Sequence, residues 1–506
     1  MPHVIGIDGG TESLRAHVFD ITGRSVGGAV SYYDTVFPAP GRAEQDPRDW
    51  WRALGEAVRG AVRSAAIDAR DITALALDTT SATVVVADEA GNPLRSAILW
   101  MDVRASEEAS AVLRTSDTAL QLNGAGAGPV SPEWMIPKAL WLKHHERALY
   151  DRAATICEYQ DFMVRSLTGR NVASLTNASI RWHYRNRDGG WPDRLLAALD
   201  LEDLRSKWPS EIIAPGEVVG PLTAAAADHL GLTTSTLVVQ GGADAFIGMI
   251  GLGVARVGQL ALVTGSSHLQ LAVTGGPTSA PGLWGSYADV VYPNRHVLEG
   301  GQSASGSMIA WLCRFIGPDV DLQQLNHEAA ELPPGSEGLI VLDHFQGNRT
   351  PYTDALSRGA LVGLSLRHGR AHVFRAMIEG ICFGTRSILD AMNAAGLRVD
   401  EIVVGGGASR SPLWLQIHAD TANVPVKVTK FADAPVLGSA ILAAVGAGEF
   451  PDIDAGISAM VGIDRVIEPD RANASRYLEI MDRYNRLYPA LRAWREADLI
   501  VERGPL

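Results

Sequence analysis

The chain holds 506 residues, 46% of them hydrophobic and 20% charged, more than one ordinary domain of about 100–200 residues accommodates. Its 57 acidic and 44 basic residues leave a net charge of −13, which speaks against broad binding to nucleic acid or to an anionic membrane surface. Three cysteines without paired or metal-type spacing rule out a disulfide framework; with no apolar run near the roughly 18 residues of a membrane span, they point to a cytoplasmic protein.

The first predicted element is a hairpin. Val4-Ile5-Gly6-Ile7-Asp8 runs into the loop Asp8-Gly9-Gly10-Thr11-Glu12-Ser13 and leaves it through Leu14-Arg15-Ala16-His17-Val18-Phe19. A third strand is expected over 29–33, then a helix over 47–66 with Trp50, Leu54 and Val58 on one face. A strand over 72–77 follows, and its turn at 78–83, which carries Ser81, runs into Val84-Val85-Val86. Helices over 137–145, 149–156 and 160–168 form an insert, and a strand over 238–242 leads to a helix opening at Ala243-Asp244. The Gly-rich 251–258 reads as a linker, dividing the chain into domains 1–253 and 254–506. The second half repeats the theme. Leu260-Ala261-Leu262-Val263 enters a loop at Thr264-Gly265-Ser266-Ser267 and Leu269-Gln270-Leu271-Ala272-Val273 leaves it. A helix over 374–393, a strand over 401–404 into Gly405-Gly406-Gly407, a helix over 411–422 and a last helix over 474–496 complete the order.

Two Gly and Ser/Thr loops on either side of the chain's midpoint offer bare N–H groups and small hydroxyls to an anion, as a phosphate clamp would. Asp8 before Gly-Gly-Thr suits a tight turn; it also suits a magnesium ion or its water shell, since hard oxygen ligands are what that ion takes. Asp244 after Gly-Gly-Ala suits a helix N-cap, and equally a general base taking the proton of an attacking hydroxyl. The triple glycine opens a helix, as a nucleotide-facing loop or a tight strand-to-helix connection would. The Gly-Lys-Ser/Thr ending of a Walker loop is absent from the chain. Trp100-Met101-Asp102-Val103-Arg104 pairs an acceptor and a forked donor beside an indole, either a surface ion pair or a contact to sugar hydroxyls.

Asp8-Gly9-Gly10-Thr11-Glu12-Ser13-Leu14-Arg15 resembles the phosphate motif of the FGGY carbohydrate kinases, within the actin-like ATPase superfamily. Ile98-Leu99-Trp100-Met101-Asp102-Val103-Arg104, Gly241-Gly242-Ala243-Asp244, Thr264-Gly265-Ser266-Ser267 and Val403-Val404-Gly405-Gly406-Gly407-Ala408-Ser409 follow in that family's order over nearly the whole chain. The resemblance implies an α/β fold of two actin-like (RNase H-like) domains with ATP and Mg²⁺ in the cleft between them. It implies Asp244 as catalytic base and Asp8 beside the metal, through water. Gly10, Thr11, Ser13, Arg15, Gly265, Ser266 and Ser267 are the expected phosphate contacts, and Gly306, Gly406, Gly407 and Ser411 the nucleotide side. Ser81, Trp100, Asp102, Arg104 and Lys138 fall on the sugar side. Ser131-Pro132-Glu133-Trp134, Glu299-Gly300-Gly301-Gln302 and Gly347-Asn348-Arg349 look most like the ribulokinase branch, closest to D-ribulokinases. Val103 and Arg181 depart from it, where His and Lys are common. The expected activity is transfer of the γ-phosphoryl group of ATP to a terminal hydroxyl of a ketopentose, D-ribulose first. Xylulose, a tetritol, or a non-catalytic ATP-binding sensor are the alternatives. The expected partner is a small sugar, without nucleic acid or membrane; a homodimer is compatible with all of these readings.

Overall fold

The computed structural model describes residues 2–126, 128–317 and 320–503. β1 (His3–Gly9) is buried on both faces along most of its length, whereas β2 (Ser13–Asp20) buries Leu14, Ala16 and Val18 and leaves Ser13, Arg15 and His17 half-buried. With β3 (Ser25–Tyr32), β4 (Ile72–Thr79), β5 (Val218–Pro221) and β6 (Leu237–Val239) they form one sheet in the order β5-β6-β4-β1-β2-β3. β2 runs antiparallel to β1 and β3, while β4 runs parallel to β1 and β6. α1 (Pro47–Ala65), capped by Asp46, buries Trp50, Leu54 and Val58 in this half.

The second sheet repeats that plan. β7 (Gln259–Thr264), β8 (His268–Thr274), β9 (Trp284–Ala288), β10 (His296–Gln302), β11 (Glu401–Gly406), β12 (Val426–Thr429) and β13 (Ile463–Ile467) lie in the order β9-β10-β8-β7-β11-β12-β13. β7, β8 and β10 form the antiparallel meander, and β11 and β12 continue parallel from β7. Two meanders, each flanked by parallel strands, are the duplicated α/β architecture expected from the paired loops.

Two helices tie the halves together. α2 (Asp244–Gly251) follows the first sheet, and α3 (Ala434–Gly446) comes from the second half yet packs on β1. A Cβ on Gly6 of β1 would collide with the carbonyl oxygen of Val436. Where α2 and α3 cross, a Cβ on Gly251 would strike the carbonyl of Ala434 and one on Gly438 that of Ile247. The helices touch backbone to backbone, a spacing only glycine permits.

Two expectations are corrected. The helix expected over 149–156 ends at Arg152, and Thr155–Glu158 is a strand paired with Val84–Ala87. The β-branched Thr155 and Ile156 favour the pleated surface they complete. The single last helix is two, Arg471–Asn485 and Leu487–Arg503. Pro489, which has no N–H and crowds the preceding turn, stands at the break. Among the described residues no helix is long and apolar enough to cross a membrane.

Candidate active site

Strand pairing brings four carboxylates to the ends of the first sheet's parallel strands, where open α/β sheets bind ligands. The register sets Asp8 of β1 beside Asp78 of β4 and opposite Arg15 of β2. The Thr79 N–H donates to the Gly242 carbonyl at 3.0 Å, which holds the Gly-Gly-Ala-Asp turn against β4 and brings Asp244 alongside. Ala243, not Asp244, is the cap residue of α2, so Asp244 starts the helix, partly buried. Asp433, one residue before α3, arrives from the second half. Arg15 bonds both Asp8 and, at 2.7 Å, Asp433, while the Ser439 hydroxyl of α3 donates to Asp78 at 2.7 Å.

Four acids around one arginine leave a surplus of buried negative charge, and it registers in their acidities. Burial pushes the Asp244 carboxyl up to about 7, helped by the charge on Asp8 and opposed by Arg15 and Arg181. Asp433 rises to about 6, first by burial and then by Asp8. Asp8 and Asp78 are raised as well, chiefly by burial, with Arg15 restraining Asp8.

The first glycine loop adjoins this cluster, Gly405 packs beside Ala434, the residue after Asp433, and the second loop joins two strands of the second sheet. In the first, the Gly10 N–H donates to the Ser13 carbonyl at 3.0 Å, and the Trp100 indole N–H donates to the Thr11 hydroxyl at 3.0 Å. In the second, Gly265, Ser266 and Ser267 are exposed; the Ser266 carbonyl accepts from the N–H groups of Ser305 and Ser307, which seats the start of the helix Gly306–Ile316 beneath the loop. Gly406 has φ +89°, and a Cβ there would strike the Thr264 carbonyl, so glycine is required; Gly407 beside it is open to solvent. Thr264 staples the two loops, donating to the Gly405 carbonyl at 2.7 Å and accepting from the Ala408 N–H at 3.1 Å. The Ser411 hydroxyl is engaged in the fold: it caps the helix Pro412–Ala422 through Trp414 and donates to Asn326 at 2.8 Å.

Of the residues expected on the sugar side, Ser81 and Trp100 are half-buried. Asp102 is fully buried, and both its oxygens are taken, by Arg104 at 2.7 and 2.8 Å and by the Ala43 N–H at 2.7 Å. Arg104 also bonds Glu44 at 2.7 Å. The buried Lys138 ammonium, its pKa pushed down to about 7 by burial, donates to the carbonyls of Ala82 and Leu99 at 2.7 and 2.6 Å. It thereby clamps the turn that carries Ser81 to the one that carries Trp100.

Sequence reasoning missed Asp78 and Asp433 as site residues, and missed that Arg181, Glu299 and Arg349 pair into a buried cationic wall. Glu299 of β10, at 0% exposure, takes Arg181 at 3.2 Å from the first half and Arg349 from the second. Arg349 lies 3.7 Å over the Trp284 ring, and Arg181 5.9 Å from the rings of both Trp134 and Trp284. The Asp that precedes Ala-Pro at 433–435 is a readable helix start; Glu299 was legible only through its motif Glu299-Gly300-Gly301-Gln302, which does not show its partners.

Residues 3–251 match the N-terminal domain, and residues 260–447 the C-terminal domain, of the FGGY family of carbohydrate kinases. A ribulokinase from Shouchella clausii is 31% identical, over 96% of this chain and 94% of that one. A xylulose kinase from Staphylococcus xylosus is 28% identical over 96% and 100%. The crystal structure of a xylulose kinase from Rhodospirillum rubrum superposes with a TM-score of 0.86 at 27% identity, over 97% of this chain and 99% of that one.

Proposed function

The chain belongs to the FGGY family of carbohydrate kinases, and from that premise we propose that it transfers the γ-phosphoryl group of ATP to a terminal hydroxyl of a ketopentose, D-ribulose first. The observation that carries the reading is Asp244. It stands where loops of both halves meet, and its carboxyl, pushed up to about 7, is matched to take a proton near neutral pH.

In the mechanism, Asp244 accepts the proton of the sugar hydroxyl as that oxygen attacks the γ-phosphorus, and the bond to the β–γ bridging oxygen breaks. The N–H groups of Thr11, Ser266 and Ser267 donate to the phosphate oxygens, with Arg15 beside them, while those of Gly10 and Gly265 hold the two turns by bonding the Ser13 and Ser267 carbonyls. Gly306, Gly406 and Gly407 leave room on the nucleotide side, and Ser411 shapes it as a helix cap. Ser81, Trp100 and the Arg181–Glu299 wall face the sugar; Asp102, Arg104 and Lys138 hold the turns that carry Ser81 and Trp100 in shape. Among the described residues no three His, Cys, Asp or Glu side chains form a ready metal shell. The buried surplus of carboxylate oxygen still fits a hard divalent cation, and Asp8 would hold Mg²⁺ through its water shell, where the ion neutralises phosphate charge.

Xylulose stands second, on the name of the Staphylococcus relative. A coupled ADP-release assay with D-ribulose, L-ribulose, D-xylulose and erythritol tests the substrate. D-ribulose is expected to show the highest kcat/KM. A better sugar in the panel overturns the ribulose reading, and silence with every sugar despite intact ATP binding overturns the kinase reading in favour of a sensor.

A further inference from the structure

Between the first-half segment 179–188 and the outer edge of β9 lies a cavity of about 260 Å³ that none of the chemistry above uses. Two of its lining side chains are more than nine-tenths buried yet carry polar atoms without a hydrogen-bond partner among the described residues: the Ser179 hydroxyl and Nδ1 of His296. The Ser286 hydroxyl beside them is also unpartnered. Buried polar atoms are ordinarily satisfied, so three orphans around one space point to something that fills it.

The chemistry of the lining narrows the occupant. Two hydroxyls and an imidazole each can donate or accept, the pattern that suits a molecule whose own hydroxyls do both. The cations at the rim are already neutralised: Arg185 pairs with Asp188 at 3.1 Å and Arg187 with Asp289 at 2.7 Å. No free charge therefore remains there for an anion. The volume falls just below the range of about 300–1,000 Å³ that drug-sized ligands occupy, so one monosaccharide-sized molecule fits. We infer that this cavity is a second, non-catalytic binding site for a small uncharged polyol or sugar. Its occupant touches Ser179 from the first half and Ser286 and His296 from the second, bridging the lobes at a point two residues along the chain from Arg181.

The full chain, its cleft saturated with the preferred ketose in the absence of ATP, is titrated calorimetrically with erythritol, ribitol, xylitol and sorbitol. At least one is expected to bind at one equivalent per chain. Ser279→Trp, at an exposed lining position, should fill the space and weaken that binding at least tenfold while kcat and both KM values stay at wild type. Ser179→Ala, which leaves the space open but removes one hydroxyl, should weaken it several-fold. The inference is overturned if no polyol binds the ketose-saturated protein and the ketose itself binds at only one equivalent per chain, which would mean that water alone fills the cavity. It is equally overturned if Ser279→Trp binds as the wild type does.

Discussion

Asp244 was legible from its motif, but its environment was not. Sequence spacing shows a carboxylate at a helix start; only the fold shows that Asp8, Arg15 and Arg181 surround it. Because a base must be ionised to accept a proton, and this one is raised to about 7, kcat/KM is expected to fall with unit slope as pH drops through that value. Asp244→Asn should cost roughly 10²–10⁴ in kcat, the usual worth of a general base, with ATP binding retained in a direct titration. Activity within a few-fold of wild type would remove the residue from its role. Asp102 carries the opposite lesson. Its Trp-x-Asp-x-Arg spacing suggested a sugar contact, whereas the fold turns both its oxygens inward. Removing one partner of a buried ion pair costs about 3–5 kcal/mol. Asp102→Ala is therefore expected to lower the melting temperature by several degrees, toward the small end of that range because Arg104 keeps Glu44. A raised sugar KM at unchanged melting temperature would instead restore the direct contact.

At the level of elements, the strands of both hairpins were readable because apolar alternation and glycine turns are local signals. The contact between α2 and α3 was not. α3 is an Ala- and Gly-rich helix buried nearly all round, so it lacks the one-sided stripe that marks a surface helix. Its partner is set by close approach in space, to which sequence periodicity is blind. Gly438→Ala places a methyl against the Ile247 carbonyl, and overpacking of this kind costs about 1–3 kcal/mol. Chemical denaturation should show the loss without a change in m-value. An unchanged midpoint would mean that the two helices have slack. The pairing of Arg181, Glu299 and Arg349 was equally invisible, although each was noted in its own motif, because the three are drawn from distant segments and meet only when β10 is in place.

On the scale of the whole molecule, the duplication could be read from two loops, and the charge surplus emerges only once the halves are assembled. Asp433 reaches the cluster from beyond the midpoint and adds a fourth acid. Carboxyls raised in the folded state bind protons there that the unfolded chain, with values near about 3.9, has already lost. They contribute stability that is present at acid pH and lost as pH rises toward 6 and 7, the values reached by Asp433 and Asp244. A divalent cation relieves the same repulsion. Mg²⁺ is thus expected to raise the melting temperature more at pH 8 than at pH 5, as scanning calorimetry at the two values would show; an equal gain at both would place the ion elsewhere.

The seating of α3 on β1 has one more consequence, for synthesis. All six strands of the first sheet have left the ribosome once Val239 is out, yet the helix that covers Gly6 ends only at Gly446. At about 5–20 residues per second, the nascent amino-terminal lobe waits roughly ten to forty seconds with one face bare. Any chaperone that attends this polypeptide during translation would meet it in that interval.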